Sequence, residues 1–141
     1  MKLYYAFIDG ASRGNPGKAG AGIRIVDEEG KFDRGICQYL GDDLTNNQAE
    51  YGALILLLRE LVHNNYYFND IGRLIISSDS RLMVKQMSGE FKVKNENLAK
   101  YYQAAEALLV KLDFPVEFRD IPREENKQAD KLANLGIDLK K

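Results

Sequence analysis

The chain begins with the stretch LYYAFID at residues 3–9, an apolar run that ends on an aspartate. A continuous apolar run of this length predicts a buried β-strand. The stretch RLIISSD at residues 73–79 has the same form and ends on Asp79. Because α/β folds place their chemistry where strands end, Asp9 and Asp79 predict a functional site at one edge of a sheet.

The rest of the chain supplies the other elements of that sheet. Composition and hydrophobic spacing predict a loop over the glycine-rich residues 9–22 and a turn over residues 27–30, in which we expect Asp27 to be solvated. They also predict a capped helix from Thr45 and a last helix stopped by Gly136. The order β-β-β-α-β-α-α-β-α predicts an α/β fold, in which three antiparallel and two parallel strands form a mixed five-stranded sheet flanked by helices. The predicted strands cover residues 3–9, 21–26, 31–39, 73–78 and 114–119, and the helices start near residues 45, 80, 96 and 124.

Length and composition restrict the class of protein. A chain of 141 residues predicts a single domain over residues 1–141. The net charge of −1 means that any nucleic acid must be held by a local patch or by metal ions. The single cysteine, Cys37, excludes an internal disulfide and fits a reducing compartment, so we expect a cytoplasmic protein. No apolar stretch is long enough to span a bilayer, so we expect no membrane partner. We also expect a monomer.

Two further acidic residues are placed to join Asp9 and Asp79. Glu50 falls on the first turns of the helix that starts at Thr45, and Asp130 lies near the start of the last helix. Taken singly, each has a simpler explanation, which is a favourable interaction with the helix dipole. In this topology, however, helix starts can bring them to the edge that carries Asp9 and Asp79. Four such carboxylates would repel one another unless divalent cations lay between them, so together they predict a metal site.

The four acids lie in four sequence blocks, which are DGASRGNPG at residues 9–17, TNNQAE at residues 45–50, SDS at residues 78–80 and NKQADKLA at residues 126–133. Together these blocks resemble the type 1 ribonucleases H, the ribonuclease HI family. The resemblance covers residue 4 to about residue 136 and implies a ribonuclease H-like fold. It implies a metal-dependent endonuclease that hydrolyses the RNA strand of RNA–DNA hybrids with two Mg²⁺ ions, Mn²⁺ being able to substitute. The products would carry a 5′-phosphate and a 3′-hydroxyl.

The same resemblance implies a role for each carboxylate. Asp9 would bridge both ions. Asp130 would help to hold the ion that activates the attacking water, while Glu50 and Asp79 would hold the ion on the leaving-group side. All four are hard oxygen ligands, which is the ligand type that Mg²⁺ and Mn²⁺ prefer.

The resemblance also implies contacts with the substrate. Asn15, Asn46 and Asn47 would bind 2′-hydroxyls and base edges in the minor groove, which is how a protein distinguishes RNA from DNA. Thr45 and Asn95 would bind a phosphate of the DNA strand. Simpler explanations remain for three of these residues: Asn15 suits a turn, Asn46 suits a helix start and Thr45 suits a helix cap.

The chain departs from the family pattern at two places. Many members carry a histidine before the last helix, but His63 does not align with it. Arg123 is the candidate replacement, able to stabilise phosphate charge but unable to shuttle protons, and its alternative is a solvated helix-start residue. The second departure is the stretch 87–95, which lacks the basic protrusion of some members. Its few lysines predict weak, distributive binding, and we expect Phe91 to pack in the core.

Three other functions stay open at this point. The first is a related nuclease that also cuts double-stranded RNA. The second is a hybrid-binding module whose catalysis has lapsed, although such decay usually removes at least one ligand. The third is a purely structural protein, which would not need Asn15, Asn46 and Asn47 beside the acids.

Overall fold

The structure is a computed structural model that describes residues 1–64, 68 and 70–140. Five strands and four helices follow one another in these residues, in the order expected from the sequence. The elements are β1 Lys2–Gly14, β2 Gly17–Asp27, β3 Asp33–Leu44, α1 Asn46–His63, β4 Ile71–Ser78, α2 Arg81–Met87, α3 Glu96–Leu109, β5 Val116–Asp120, a 3₁₀ turn Arg123–Glu125 and α4 Lys127–Leu139.

The strands form one mixed sheet in the order β3-β2-β1-β4-β5. The first three strands pair antiparallel, while β4 pairs parallel to β1 and β5 pairs parallel to β4. This confirms the predicted fold class, with β1 at the centre. The register pairs Ile8 with Ser78 at the point where the pairing of β1 and β4 ends. Asp9, the next residue of β1, and Asp79, the residue that follows β4, therefore lie side by side at this edge.

Helices cover both faces of the sheet. Alternate residues of β1, Tyr4, Ala6 and Ile8, point into a core that contains Leu54 and Leu58 of α1. On this side α3 packs on α1, while α4 packs on the opposite face against β1, β2 and β3. The residues of β1 between those core positions therefore point toward α4. Asp9 is one of them. No helix in the described part of the chain is long and apolar enough to cross a membrane.

The loop predicted over residues 9–22 is wrong. Strands β1 and β2 continue through it as a hairpin, paired from Tyr4 opposite Asp27 to Gly14 opposite Gly17. Gly20 and Gly22 in this stretch serve packing and not a loop, because a Cβ on either would overlap backbone atoms of α4. Their bare backbone lets the helix lie close to the sheet.

The predicted stop of the last helix at Gly136 is also wrong, for the same reason. Gly136 lies inside α4, which runs to Leu139. A Cβ at this position would lie 2.7 Å from the carbonyl oxygen of Gln38 on β3. This glycine therefore permits close helix–sheet packing within the helix.

Two side chains differ in burial from what their sequence context predicts. Asp27, expected to be solvated in a turn, is only 4% exposed and forms an ion pair with Lys2. Phe91, expected in the core, is 44% exposed. Neither difference affects the site edge, which is the edge of the sheet where Asp9 and Asp79 lie. The burial of Asp27 depends on its contact with Lys2 on a neighbouring strand, which local composition does not indicate.

Candidate active site

Asp9 lies at the centre of the site edge. Strand β1 carries it between β2 and β4, and it is only 5% exposed. A carboxylate in such a position loses most of its hydration, which is costly for the charged form. Other acidic side chains converge on it from three elements.

Glu50 reaches Asp9 from α1. The backbone N–H of Gly10 donates a hydrogen bond to Glu50 Oε1 at 2.5 Å, which fixes the glutamate beside the strand. This approach requires a glycine, because a Cβ on Gly10 would overlap the carbonyl group of Ala49. The start of α1 is held by the predicted capping box, in which Thr45 Oγ1 accepts from the Gln48 N–H at 3.1 Å and Gln48 Oε1 accepts from the Thr45 N–H.

Asp79 reaches the same place from the end of β4. The chain turns there into α2, and the turn is held by Ser78 Oγ, which accepts from the Ser80 N–H at 3.0 Å. The Asp79 side chain is 10% exposed. One carboxylate oxygen from each of Asp9, Glu50 and Asp79 lies within 4.8 Å of the other two. Three carboxylates at this spacing form a ligand set for a hard divalent cation.

Asp130 approaches Asp9 from the other face of the sheet. It lies in the first turn of α4, close enough to Asp9 for its side chain to raise the pKa of that carboxyl group. It is not part of the set of three that lie within 4.8 Å of one another. The structure thus brings all four predicted acids to one edge, three as a tight cluster and the fourth at the side of Asp9.

The electrostatics of this cluster favour a bound cation. Burial raises the pKa of Asp9 well above its ordinary value, and the carboxylates of Glu50 and Asp79 raise it further. Burial also raises the pKa of Glu50, although the hydrogen bond from the Gly10 N–H opposes this shift. Both shifts disfavour the charged forms, because burial removes water and the neighbouring carboxylates repel one another. A divalent cation held by these oxygens would favour the charged forms and oppose both shifts, so the donor set fits Mg²⁺ or Mn²⁺.

Four of the five predicted substrate-binding residues share one hollow. It has a volume of about 230 Å³ and lies between the hairpin turn, the start of α1 and the start of α3. Asn46 does not line it, but its backbone N–H donates to Asn15 Oδ1 at 3.0 Å and so ties the hairpin turn to α1. The hollow is lined by Asn15, Thr45, Asn47, Gln48, Asn95, Asn97 and Leu98.

Two of these residues also cap helices, as the alternative for Thr45 supposed. Thr45 caps α1, and Asn95 Oδ1 accepts from the N–H groups of Asn97 and Leu98 at the start of α3. A cap uses only the acceptor of each side chain. The Thr45 hydroxyl hydrogen and the Asn95 amide hydrogens remain donors that an anionic oxygen could accept.

Arg123 and His63 lie where the sequence placed them relative to the acids. Arg123 Nε is 3.8 Å from Asp79 Oδ2, and its side chain is 86% exposed. His63 ends α1, thirteen residues beyond Glu50, which is roughly 20 Å along the helix axis. Arg123 is therefore beside the carboxylates, while His63 is not.

Sequence reasoning assigned no role to two asparagines that contact this edge. Asn126, only 1% exposed, donates to the carbonyl of Ile8 at 2.8 Å and ties the start of α4 to β1. Asn134 donates to Asp130 from one helical turn away. The position of Asn126 at the start of the block at residues 126–133 could have indicated a role for it. For Asn134 the one sequence feature was its position four residues after Asp130, on the same face of the helix.

Comparisons with known proteins agree with this geometry. Residues 7–136 match the family model described as reverse transcriptase-like. The chain is 38% identical over 137 residues to the ribonuclease HI of Halobacterium salinarum, covering 95% of this chain and 64% of that protein. It is 36% identical to the bifunctional protein Rv2228c of Mycobacterium tuberculosis, of which it covers 34%. The chain thus spans less than two thirds of the length of these relatives.

Solved structures extend the likeness to three dimensions. The N-terminal RNase H domain of Rv2228c has a TM-score of 0.85 at 35% identity, with 99% of this chain and 96% of that one covered. LC11-RNase H1, isolated from compost by a metagenomic approach, has been solved in complex with an RNA/DNA hybrid. That complex gives a TM-score of 0.85 at 36% identity, with 99% of this chain and 98% of that one covered.

Proposed function

The chain belongs to the reverse transcriptase-like family and is a homologue of type 1 ribonucleases H, and from this premise we propose that it hydrolyses the RNA strand of RNA–DNA hybrids. The reaction is an endonucleolytic cleavage that leaves a 5′-phosphate and a 3′-hydroxyl. The observation that carries the proposal is the cluster of Asp9, Glu50 and Asp79, whose carboxylate oxygens lie within 4.8 Å of one another.

The proposed work of the carboxylates is to hold two Mg²⁺ ions. Asp9, the most central, would serve both; Asp130 would serve the water side, and Glu50 with Asp79 the leaving-group side. Two bound ions supply an activated water and stabilise charge on the attacking and leaving oxygens. The chain itself fixes the ligands, through the Gly10 hydrogen bond to Glu50 and the Ser78 turn before Asp79. Mn²⁺ should substitute because the ligands are all oxygens.

The proposed substrate path runs from the carboxylates across the hollow between α1 and α3. Asn15 and Asn47 would present amide groups to 2′-hydroxyls and base edges, and Asn46 would contribute from the adjoining surface. Thr45 and Asn95 would donate to a phosphate of the DNA strand. The solved complex of LC11-RNase H1 with an RNA/DNA hybrid supports this choice of partner. The proposal further takes residues 1–141 as one catalytic domain that acts as a monomer in the cytoplasm.

The test is a cleavage assay with labelled RNA–DNA hybrid, double-stranded RNA, single-stranded RNA and double-stranded DNA. Each is incubated with Mg²⁺, Mn²⁺ or chelator. We expect cleavage of the hybrid with either metal and none with chelator. Cleavage of double-stranded RNA at a comparable rate would favour the broader nuclease. Hybrid binding without any cleavage would favour the lapsed binding module and contradict the proposal.

Arg123 is proposed to stabilise phosphate charge beside Asp79. We expect Arg123→Ala to lower the turnover of hybrid about 10-fold, a loss of roughly 1.4 kcal/mol of transition-state stabilisation, because it removes a positive charge beside the phosphate. The effect is no larger because the guanidinium is exposed and its charge is screened by solvent. Hybrid affinity should change less than turnover. Single-turnover kinetics and filter binding measure the two quantities. Arg119→Ala is the matched control, since Arg119 pairs with Glu117 and not with the acids. Equal turnover in both variants would contradict the proposal and indicate that Arg123 is a solvated helix-start residue.

A further inference from the structure

The contacts of α4 carry one more inference about the fourth acid. Asp130 stands apart from the tight cluster of three, beside Asp9. Its neighbour one turn later contacts it directly: Asn134 Nδ2 lies 3.0 Å from the carbonyl oxygen of Asp130 and 3.4 Å from Asp130 Oδ1. A side-chain amide carries two donor hydrogens, enough for both contacts. Asn134 contacts Asp130 Oδ1 and leaves Asp130 Oδ2 without a hydrogen bond from it.

Asn134 is itself held from the sheet. Arg13 Nη2 lies 3.3 Å from Asn134 Oδ1 and 3.3 Å from the Asn134 carbonyl oxygen, while Arg13 Nη1 pairs with Asp138 at 2.6 Å. The amide group of Asn134 therefore accepts from the arginine with its oxygen and donates to the aspartate with its nitrogen. Leucine has the same size but can do neither.

The spacing along the two elements explains why Arg13 can do this. Arg13 lies four positions beyond Asp9 on the strand, about 13 Å at 3.3 Å per residue. Asp138 lies eight positions beyond Asp130 on the helix, about 12 Å at 1.5 Å per residue. Strand β1 and helix α4 thus run side by side, with Asp9 near Asp130 at one end and Arg13 paired with Asp138 at the other. Asn134 lies midway between the two acidic residues of α4, which is where Arg13 reaches it.

We propose that Asn134 is a positioning residue for Asp130 and that Arg13 acts on the site through Asn134. The inference rests on the proposed function, because Asp130 matters only if it serves a bound ion. Partners that hydrogen-bond a metal ligand fix its orientation, and losing one typically costs about 10–100-fold in metal affinity. Arg13 touches none of the four carboxylates of the site in the described contacts, so its effect must depend on Asn134.

The test measures Mg²⁺ binding by titration calorimetry alongside cleavage. We expect Asn134→Leu to weaken Mg²⁺ binding about 10-fold or more and to raise the Mg²⁺ concentration for half-maximal cleavage equally. The KM for hybrid at saturating Mg²⁺ should not change. Arg13→Gln should weaken Mg²⁺ binding about 3-fold alone and not at all in the Asn134→Leu background, which is the coupling expected of one linked unit.

Arg24→Gln is the matched control for Arg13→Gln. Arg24 also forms a surface ion pair, with Asp33 at 2.9 Å, but it contacts neither Asn134 nor Asp130 in the described structure. Its loss should leave Mg²⁺ binding unchanged. An Asn134→Leu variant with wild-type Mg²⁺ affinity would overturn the inference while leaving the proposed function intact. A wild-type protein that neither binds Mg²⁺ nor cuts hybrid would overturn both.

Discussion

Replacing Asp9 with asparagine is expected to abolish hybrid cleavage and, in the absence of metal, to make the folded chain more stable. The first effect follows because Asp9 is the most central ligand; losing several kcal/mol of metal-dependent stabilisation lowers the rate on the order of 10³-fold. The second follows because Asp9 is 5% exposed and lies among other carboxylates, so at pH 7 the metal-free fold must either bury its charge or bind a proton. Asparagine has nearly the same shape and is neutral without a proton, so it avoids this cost. We expect a gain of about 2 kcal/mol in the free energy of unfolding at pH 7.

The difference in the free energy of unfolding between wild type and Asp9→Asn should depend on pH. The folded-state pKa of Asp9 lies above its unfolded value near 3.8, so the folded protein binds a proton that the unfolded chain releases. That contribution to stability is complete below pH 3.8 and is lost as pH rises toward the folded-state pKa. Metal-free wild-type protein should therefore lose stability from about pH 4 upward, and Asp9→Asn should lose less. Urea unfolding in chelator at several pH values measures the difference.

Asp27→Asn is the matched control, because Asp27 is equally buried but has the opposite electrostatic surroundings. Burial acts to raise the pKa of Asp27, yet the backbone N–H groups of Phe32 and Lys31 and the Lys2 ammonium outweigh it, and the pKa is lowered. Its stabilising contribution is present above the unfolded pKa and is lost as pH falls through the folded-state pKa. Asp27→Asn should therefore lower stability at pH 7. A stability loss in both variants would contradict the charge argument for Asp9.

Addition of Mg²⁺ separates the two effects of Asp9. A ligand that binds only the folded state raises its stability by an amount that grows with the logarithm of the ratio of ligand concentration to Kd. Mg²⁺ should therefore raise the unfolding temperature of the wild type and of Asp27→Asn, but not that of Asp9→Asn. An equal Mg²⁺ effect on all three proteins would place the ion elsewhere.

The sequence allowed the site edge to be predicted because its signals are local. Apolar runs end on Asp9 and Asp79, and the order of strands and helices along the chain indicates that the fourth strand is added parallel to the sheet, as β4 is to β1. The capping box at Thr45 likewise predicted the start of α1, and with it the position of Glu50. Each inference needed only the neighbouring residues and a general rule of topology.

The features that escaped prediction depend on contacts across the fold. The glycines of residues 9–22 predicted a loop, because composition cannot tell a flexible glycine from one covered by a helix. Asp27 looked solvated because its partner Lys2 lies on another strand. Asn134 was assigned no role because Arg13, which contacts it, is 121 positions away. In each case the deciding partner is remote in sequence.

Gly10→Ala tests the most consequential of these remote contacts. The new Cβ would overlap the carbonyl group of Ala49 and the backbone nitrogen of Glu50, and these are backbone atoms that cannot turn aside. Helix α1 must then move away from β1, which strains the core and stretches the hydrogen bond from the Gly10 N–H to Glu50. Overpacking of this kind costs about 3 kcal/mol, and the unfolding temperature should fall by roughly 10 °C.

The same displacement should reach the metal site, because Glu50 moves with α1. We therefore expect Mg²⁺ binding by calorimetry to weaken at least about 10-fold, although every carboxylate is retained. Gly30→Ala provides the control: its φ of +74° makes alanine strained, but no atom lies within 4 Å of the new Cβ. It should cost only about 1 kcal/mol and leave Mg²⁺ binding unchanged. If Gly10→Ala lost stability but kept its Mg²⁺ affinity, the spacing between α1 and β1 would not be what holds Glu50 beside Asp9.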